Sequence, residues 1–526
     1  MNARGAKAAV ILAALGAGLA AGFAHPPFGF WPGLAGYALL MWLVDRTDDE
    51  RSGWKAFGLG WLAGFGYFFV GCWWVAEAFL VDARQAWMAP FAAALLPAGM
   101  GLFWGGACAL YRKIARPDLT RVIAFAGVFA LFEWIRGHVL TGFPWNLAGE
   151  TWTAGSPPSQ VAAWIGAYGL TFLTVLAVVC FEPLFHPGPM RRRVGVALTG
   201  VAVLAGLWIA GSVRLAGAGR VQATHEIVRV VQADVPQEAK WSPEQQRNIV
   251  QRYLNLTSRP GKRTPDYVVW PEGALPASAN ELLAPGSEAA EGIQRALQPG
   301  QTLLMGTYRG EPAPDGGANW YNSLIALRDT GDALQVTGIY DKHRLVPFGE
   351  FLPLEPLAEK IGLKELVHVG DGFSPGPRPA PIRLNGTSVQ PLICYESLFP
   401  SLPTQKHGRA SWIVNVSNDA WFGQTSGPKQ HLNLASYRAI EQGLPIIRAT
   451  PTGVSAVIGP YGRVVDGARL DSGESGVIDA PLPAALEPTL YSRFGDLPFW
   501  VLTLSALIFA FWSRFNGLKL SDRTPI

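Results

Sequence analysis

Three residues with chemically reactive side chains, Glu272, Lys342 and Cys394, each follow a short apolar run in the second half of the chain. Such runs predict buried β-strands, so the three side chains are expected at strand ends. A thiolate is a nucleophile, and a carboxylate in an apolar pocket can have a raised pKa and take the thiol proton. An ammonium group can hold an oxyanion and help to lower the thiol pKa. The three residue types therefore predict nucleophilic attack on a carbonyl carbon.

Each of the three residues also has an ordinary explanation when taken alone. Cys394 could be a buried structural cysteine, Glu272 a loop charge, and Lys342 a solvated residue at a sheet edge. Their shared position after apolar runs favours one common site. The other three cysteines lie in apolar segments without C-x-x-C spacing, which predicts neither a disulfide framework nor a zinc site.

The segment that carries these residues alternates between predicted strands and helices. Strands are predicted at 227–235, 267–270, 302–307, 321–328, 337–340, 389–393, 412–416, 445–450, 453–458 and 463–465. Helices are predicted at 243–256 and 427–442. Strands of this kind, mostly buried on both faces and mixed with helices and hairpins, indicate a layered α/β domain.

The rest of the chain has the composition of a membrane protein. Of its 526 residues, 49% are hydrophobic, 16% are charged and 20 are tryptophans, whereas soluble proteins have about 25% charged residues. Eight apolar segments have lengths suited to membrane spans. They are 8–23, 30–46, 55–79, 88–111, 121–138, 160–183, 194–214 and 496–513.

Lysine and arginine are concentrated in alternate loops between these spans. They precede the first span, lie between spans 2 and 3, 4 and 5, and 6 and 7, and follow the eighth. The positive-inside rule then predicts that both termini are cytoplasmic. We accordingly predict membrane helices over 1–214, an outer catalytic domain over 215–495, and a last helix with a cytoplasmic tail over 496–526. The net charge of +4 without a long basic patch argues against nucleic acid as a partner.

The predicted outer end of span 5 carries Glu133 and Arg136, which are spaced to pair on one helix face. One interpretation is an interface anchor with a snorkelling arginine. The other is a site for a phospholipid head group or for docking.

An ordered set of motifs resembles one protein family. Glu272, Lys342 and Cys394 in their contexts resemble the Glu-Lys-Cys triad of the nitrilase superfamily. A nitrilase-like domain between spans 7 and 8 resembles bacterial apolipoprotein N-acyltransferases in particular. Further similar motifs are FAHPPFG at 23–29, EWIR at 133–136, TGFPW at 141–145, VPFGE at 346–350, NVSNDAWFG at 415–423, GPKQH at 427–431 and RAT at 448–450.

The resemblance implies an αββα sandwich joined to an eight-helix membrane part in a bacterial inner membrane, with the catalytic domain in the periplasm. It implies that the cysteine takes a fatty acyl chain from a phospholipid as a thioester. The amine of a diacylglyceryl-cysteine on an apolipoprotein then attacks this thioester. Cys394 would be the nucleophile, Glu272 the general base, and Lys342 the oxyanion partner together with the backbone N–H of Tyr395. No cofactor and no metal are implied.

The same resemblance suggests supporting roles for further residues. Glu350 would hold Lys342, Tyr395 and Glu396 would shape the site, and Trp241 would lie near substrate, although an ordinary packed tryptophan fits equally well. Trp421 and Phe422 could line an acyl groove or be core aromatics. The apolar segment 351–357 is predicted to dip into the membrane interface as a lid. His431 and Arg438 are expected to serve structure.

Two other functions fit parts of the sequence. A membrane-tethered amidase or nitrilase-type hydrolase would use the same triad with water as the acceptor. A transporter with an outer binding domain would need ionisable residues inside its spans. Because the predicted spans carry almost no charge away from their ends, and because the 351–357 segment is strongly apolar, the acyltransferase is favoured.

Overall fold

The computed structural model describes residues 3–47, 52–116, 118–218, 222–238, 243–314, 316–353, 372–403 and 408–521. The chain divides into two compact units. One comprises Met1–Gly219 with Thr489–Ile526, and the other comprises Arg220–Pro488.

The first unit is helical. Its sequence is rich in alanine, leucine and glycine, and small residues allow helices to approach one another closely. At Gly18, for example, an added Cβ would lie 1.7 Å from the carbonyl oxygen of Ala63. Its longer helices are α1 (Ala3–Gly22), α2 (Ala35–Asp45), α3 (Ser52–Cys72), α4 (Ala89–Ile114), α5 (Arg121–Arg136), α6 (Ala162–Val179) and α7 (Met190–Ala216). After the second unit the chain returns with α12 (Leu490–Phe494) and α13 (Leu497–Ser521).

The helices long and apolar enough to cross a membrane are fewer than the eight predicted spans. Within the described residues there are five, at Arg4–Gly22, Gly53–Phe79, Ala86–Ile114, Pro158–Phe185 and Met190–Ala216. Each remaining predicted span also contains a helix, but α2 has 11 residues and α5 has 16, and Leu497–Trp512 is a shorter apolar helix. At about 1.5 Å per residue, α2 spans about half of a bilayer core. The predicted span 30–46 overestimated this helix because its beginning is a separate 3₁₀ turn, Trp31–Leu34, that contains a proline.

The predicted pairing of Glu133 with Arg136 is confirmed, and both side chains are buried inside the first unit. Trp104 Nε1 donates to Glu133 Oε1 at 2.9 Å, and Arg136 donates to the carbonyl oxygen of Trp145 at 3.0 Å. An interface anchor and a head-group site both require an accessible side chain. Arg136 is 1% exposed, so this pair instead fixes the loop after α5.

The second unit contains two six-stranded sheets. The first has the strand order β12-β1-β2-β3-β4-β5 and the second β11-β10-β9-β8-β7-β6. The strands of the first sheet are β1 (Ala223–Gln232), β2 (Tyr267–Trp270), β3 (Thr302–Pro312), β4 (Ala318–Asp329), β5 (Leu334–Asp341) and β12 (Gly476–Pro483). Those of the second are β6 (Ile382–Leu384), β7 (Thr387–Ile393), β8 (Trp412–Val416), β9 (Ile446–Ala449), β10 (Ser455–Ile458) and β11 (Val464–Leu470).

The two sheets enclose a common apolar core. Val269 and Leu304 of the first sheet and Val414 of the second belong to one buried cluster. The other face of the first sheet, which includes Val268, forms a second buried cluster. In this cluster the sheet packs against helix α8 (Pro243–Thr257) and helix α10 (Glu288–Ala296). Because strands β2 and β3 bury both faces, they appear in the sequence as continuous apolar runs.

The predicted helix 427–442 is also found, as α11 (Gly427–Gln442), and connects the parallel strands β8 and β9. The sequence did not predict β6, which has three residues, or β12, which contains prolines and alternates in burial. It also did not predict α9 (Ala279–Leu282) or α10. The layered α/β fold class is nevertheless confirmed.

Substituting Leu304→Ala is expected to remove about 2–5 kcal/mol of packing free energy, because this side chain is fully buried between the sheets. The unfolding temperature of the second unit, followed by fluorescence in the purified full chain, should fall by about 4–9 °C. Gln335→Ala, at an exposed position of β5, serves as the control and should change it by less than about 2 °C. An equal effect of both substitutions would contradict the assignment of this core.

Candidate active site

Cys394 lies at a sharp turn between strand β7 and a short 3₁₀ helix. The helix is Cys394–Leu398, and Cys394 itself has a φ of 49°. The left-handed conformation costs a non-glycine residue about 1–3 kcal/mol and is concentrated at functional sites. Cys394 as a residue is half-buried, and it packs beside the core between the sheets. The turn thus places it at the carboxyl end of its strand, as the sequence predicted.

Strand β8 runs parallel to β7, with Val416 opposite Ile393. The residue after β8, Ser417, is therefore beside Cys394 and near enough to lower the pKa of its thiol. The carboxyl ends of adjacent parallel strands thus supply both the thiol and its polar neighbour.

Lys342 follows strand β5 and is buried between two carboxylates. Its Nζ lies 3.3 Å from Glu272 Oε1 and 2.9 Å from Glu350 Oε1. Burial lowers the pKa of this ammonium group, but Glu272 and Glu350 outweigh burial and raise it above its ordinary value. Lys342 consequently stays charged, and the expected contact of Glu350 with it is present.

Asn322, on strand β4, joins the same two carboxylates and was not predicted from the sequence. Its Nδ2 donates to Glu272 Oε1 and to Glu350 Oε1, each at 2.7 Å. The available signal was an asparagine inside a predicted strand, where this residue type is depleted. The second oxygen of Glu272, Oε2, is buried and has no hydrogen-bond partner within the described part of the chain, which leaves it open to accept a proton.

The thiol of Cys394 has a strongly raised pKa, about 12. Burial is the main cause and the charge of Glu272 the second, while Lys342 and Ser417 lower it. The sequence-based expectation that the lysine favours the thiolate is correct in direction, but burial and Glu272 outweigh it. The thiol is therefore protonated at neutral pH and needs a base during attack.

Glu396 links the cysteine turn to the segment that contains Lys342. Its Oε2 accepts from the N–H of Ile393 at 2.8 Å. Its Oε1 accepts from the Tyr340 hydroxyl at 2.7 Å and from the N–H of His343 at 2.8 Å. This fully buried carboxylate, whose pKa burial raises, shapes the site by fixing two backbone segments.

The other predicted site residues surround this centre to different extents. The buried ring of Tyr395 packs on Phe399 at 5.1 Å. Trp421 and Phe422 lie half-buried on the 3₁₀ helix Asp419–Phe422 that follows β8. Trp241 lies outside the described residues, as does 354–357, most of the predicted lid segment.

His431 and Arg438, both expected to be structural, are buried on helix α11. Arg438 pairs with Glu441 at 2.7 Å and donates to the carbonyl oxygen of Leu398. It therefore connects this helix to the end of the 3₁₀ helix that begins at Cys394.

One group of potential metal ligands occurs among the described residues, in the first unit. Ligand atoms of Asp45, Glu182 and His186 lie within 4.8 Å of one another. Arg121 forms ion pairs with Asp45 at 2.7 Å and Glu182 at 2.6 Å. The guanidinium supplies the positive charge that these carboxylates need, so the group is an ion-pair network.

Comparison with known proteins gives two family matches. Residues 227–489 match the carbon–nitrogen hydrolase family, and residues 17–180 match the apolipoprotein N-acyltransferase N-terminal domain. An apolipoprotein N-acyltransferase of Caulobacter vibrioides is 54% identical over 499 residues, which cover 93% of this chain and 92% of that protein. One of Rhodopseudomonas palustris is 41% identical over 512 residues, covering 95% and 94%.

Among solved structures, an amidase from Nesterenkonia sp. is 18% identical with a TM-score of 0.35, covering 53% of this chain and 98% of the amidase.

The match to the carbon–nitrogen hydrolase family, together with two facing sheets and a cysteine, a lysine and carboxylates at strand ends, makes the second unit a nitrilase-like domain. The chain as a whole belongs to the apolipoprotein N-acyltransferase family, and it is therefore an acyltransferase and a membrane protein. The resemblance inferred from the sequence motifs is confirmed.

The charges around Cys394 predict opposite effects of two substitutions on its alkylation. Glu272→Gln removes a charge that raises the thiol pKa, whereas Lys342→Met removes one that lowers it. At pH 9, iodoacetamide should thus react faster with Cys394 in Glu272→Gln and more slowly in Lys342→Met than in the unmodified protein, because only the thiolate reacts.

Peptide mass spectrometry would assign the modified cysteine, with Cys394→Ser as the blank. A change of the same sign in both variants would show that these charges do not control the thiol.

Proposed function

We propose that this enzyme transfers a fatty acyl chain from a membrane phospholipid to the N-terminal amine of diacylglyceryl-cysteine on apolipoproteins, through a thioester on Cys394. The observation that carries the proposal is the buried Lys342 held by Glu272 and Glu350, which Asn322 joins. The charges of Lys342 and Glu272 act on the Cys394 thiol. The relatives named above carry the name of this activity.

In the first half-reaction, Cys394 attacks the ester carbonyl of the phospholipid while Glu272 takes the thiol proton. The buried, unpartnered Oε2 of Glu272 is suited to accept it. Lys342 donates two of its N–H groups to Glu272 and Glu350. Its third N–H and the backbone N–H of Tyr395 donate to the oxyanion. The tetrahedral adduct then collapses, Glu272 returns the proton to the departing alcohol oxygen, and a lysophospholipid leaves.

In the second half-reaction, the amine of the apolipoprotein attacks the thioester carbonyl. Glu272 removes a proton from the amine, an amide bond forms, and the Cys394 sulfur leaves and is reprotonated. Glu350 and Asn322 keep Lys342 and Glu272 in place, and Glu396 fixes the backbone on both sides of the site. Trp421 and Phe422, half-buried after β8, line the path of the lipid substrates, and the sequence-based role of Trp241 near substrate is kept as part of the proposal.

Both substrates are lipids, so the enzyme works at a bilayer surface. We place eight membrane helices at the predicted spans, with boundaries 1–214 and 496–526, and the catalytic domain 215–495 in the periplasm. Both termini are then cytoplasmic in a bacterial inner membrane. The alternation of lysine and arginine between loops supports this arrangement.

Incubation of the purified protein with phosphatidylethanolamine should add the mass of one fatty acyl group, removable by hydroxylamine because it is a thioester. Intact-mass spectrometry would detect the adduct, and Cys394→Ser should show none. Addition of a diacylglyceryl-cysteine peptide should discharge the adduct onto the peptide amine. Discharge to water alone would favour the hydrolase, and an absence of adduct on folded protein would overturn the proposal.

The proposed orientation predicts the labelling of two new cysteines by a membrane-impermeant maleimide. Gln335→Cys lies at an exposed position of the catalytic domain and should react in intact spheroplasts. Arg191→Cys, exposed before the seventh predicted span, should react only after the membrane is permeabilised. The reverse pattern would place the catalytic domain in the cytoplasm.

A further inference from the structure

The carbonyl of Cys394 and the N–H of Tyr395 belong to one peptide group. In the proposed mechanism this N–H, which lies in the first turn of the 3₁₀ helix Cys394–Leu398, donates to the oxyanion. A donor bonded to the carbonyl side of a peptide polarises it and strengthens its N–H as a donor. A hydrogen-bond donor to the Cys394 carbonyl oxygen therefore strengthens the Tyr395 N–H as a donor to the oxyanion.

Two buried side chains contact this carbonyl. The Ser397 hydroxyl donates to the Cys394 oxygen at 2.9 Å. His431 Nε2 lies 2.9 Å from Ser397 Oγ and 3.3 Å from the same carbonyl oxygen. Ser397 and His431 are at most 1% exposed, so water does not compete for these contacts.

The imidazole of His431 is fixed from its other side. Its Nδ1 lies 3.0 Å from Asp419 Oδ1. Asp419 Oδ1 also accepts from the Ser417 hydroxyl at 2.8 Å, and Oδ2 accepts from Arg448 at 2.7 Å. Burial raises the pKa of Asp419, but Arg448 and His431 outweigh it and lower the value to about 2. Asp419 is thus a carboxylate, and the ring nitrogen facing it carries the proton.

This tautomer leaves His431 Nε2 as an acceptor, because burial and Arg448 lower the pKa of the imidazole. The single proton of Ser397 then faces two acceptors, Nε2 and the Cys394 carbonyl oxygen. When an oxyanion binds the Tyr395 N–H, electron density rises on the Cys394 carbonyl, which becomes the stronger acceptor. The bond from Ser397 to the carbonyl therefore strengthens in the transition state, as catalysis requires.

We propose that Ser397 is a positioning residue that holds and polarises the Cys394–Tyr395 peptide for oxyanion stabilisation, and that His431 acts on this peptide through the Ser397 proton. This inference rests on the proposed function, since it assumes thioester formation at Cys394. In this role, Ser397 and His431 affect the reaction although neither side chain contacts substrate.

Two reactions of Cys394 separate this role from simple support of the fold. Thioester formation with phosphatidylethanolamine passes through an oxyanion, whereas alkylation by iodoacetamide does not. Ser397→Ala should form the thioester about 10-fold more slowly, a partial loss of one oxyanion donor, while its alkylation rate stays within about 2-fold. Ser436→Ala is the matched control, because Ser436 is a buried serine on helix α11 whose hydroxyl donates to the Leu432 carbonyl.

A second variant tests whether the two residues act as one unit. His431→Asn keeps a side-chain amide near Asp419, but the shorter side chain no longer contacts Ser397. It should form the thioester no more slowly than the unmodified protein, because the Ser397 proton is then left to the Cys394 carbonyl, and the double variant Ser397→Ala/His431→Asn should be as slow as Ser397→Ala alone. A loss in His431→Asn that multiplies with the loss in Ser397→Ala would overturn the inference, because it would mean independent effects.

The remaining outcomes are also decisive. Thioester formation by Ser397→Ala at the unmodified rate would overturn the inference alone. Equal loss of thioester formation and alkylation would overturn it too, since the serine would then act on the thiol or on the fold. Absence of the adduct in the unmodified protein would instead overturn the proposed function.

Discussion

A buried ammonium group must be paired, and the position of Lys342 depends on this constraint. The side chain is 1% exposed and is held by Glu272 and Glu350, with Asn322 bonded to the same two oxygens. Removing one partner of such a group leaves an uncompensated buried charge, which costs about 3–5 kcal/mol. Two carboxylates around one cation leave one negative charge in excess. In the proposed mechanism, Glu272 supplies this excess charge as the acceptor of the thiol proton.

The sheet topology brings these groups together. Strands β2, β3 and β5 point in one direction because β4 is antiparallel to both β3 and β5. Their carboxyl ends, with the early part of β4, therefore meet at one edge of the first sheet. In the second sheet, the parallel strands β7 and β8 end together at Cys394 and Ser417. Each sheet thus contributes one part of the site, and the apolar core between them keeps the parts in register.

The sequence predicted the parts of this arrangement that depend on local pattern. Buried parallel strands are continuous apolar runs, so the strand ends at Glu272, Lys342 and Cys394 could be located before their contacts were known. Asn322 could not be identified in this way, because its role depends on strand pairing between β4 and its neighbours. The same holds for Ser397 and His431, which are 34 residues apart and meet only in the fold. Helix α2 was overestimated because apolar composition does not distinguish a 3₁₀ turn from the helix that follows it.

The burial of Cys394 also affects its chemical lifetime between turnovers. Because burial raises the pKa of this thiol well above its ordinary value, very few molecules carry a thiolate at pH 7. Peroxides and disulfides react with the thiolate, so the resting enzyme is a poor target for them. In the proposed mechanism, Glu272 takes the thiol proton only as Cys394 attacks a substrate carbonyl. Burial of the protonated thiol would thus protect Cys394 from oxidation between turnovers of the proposed reaction.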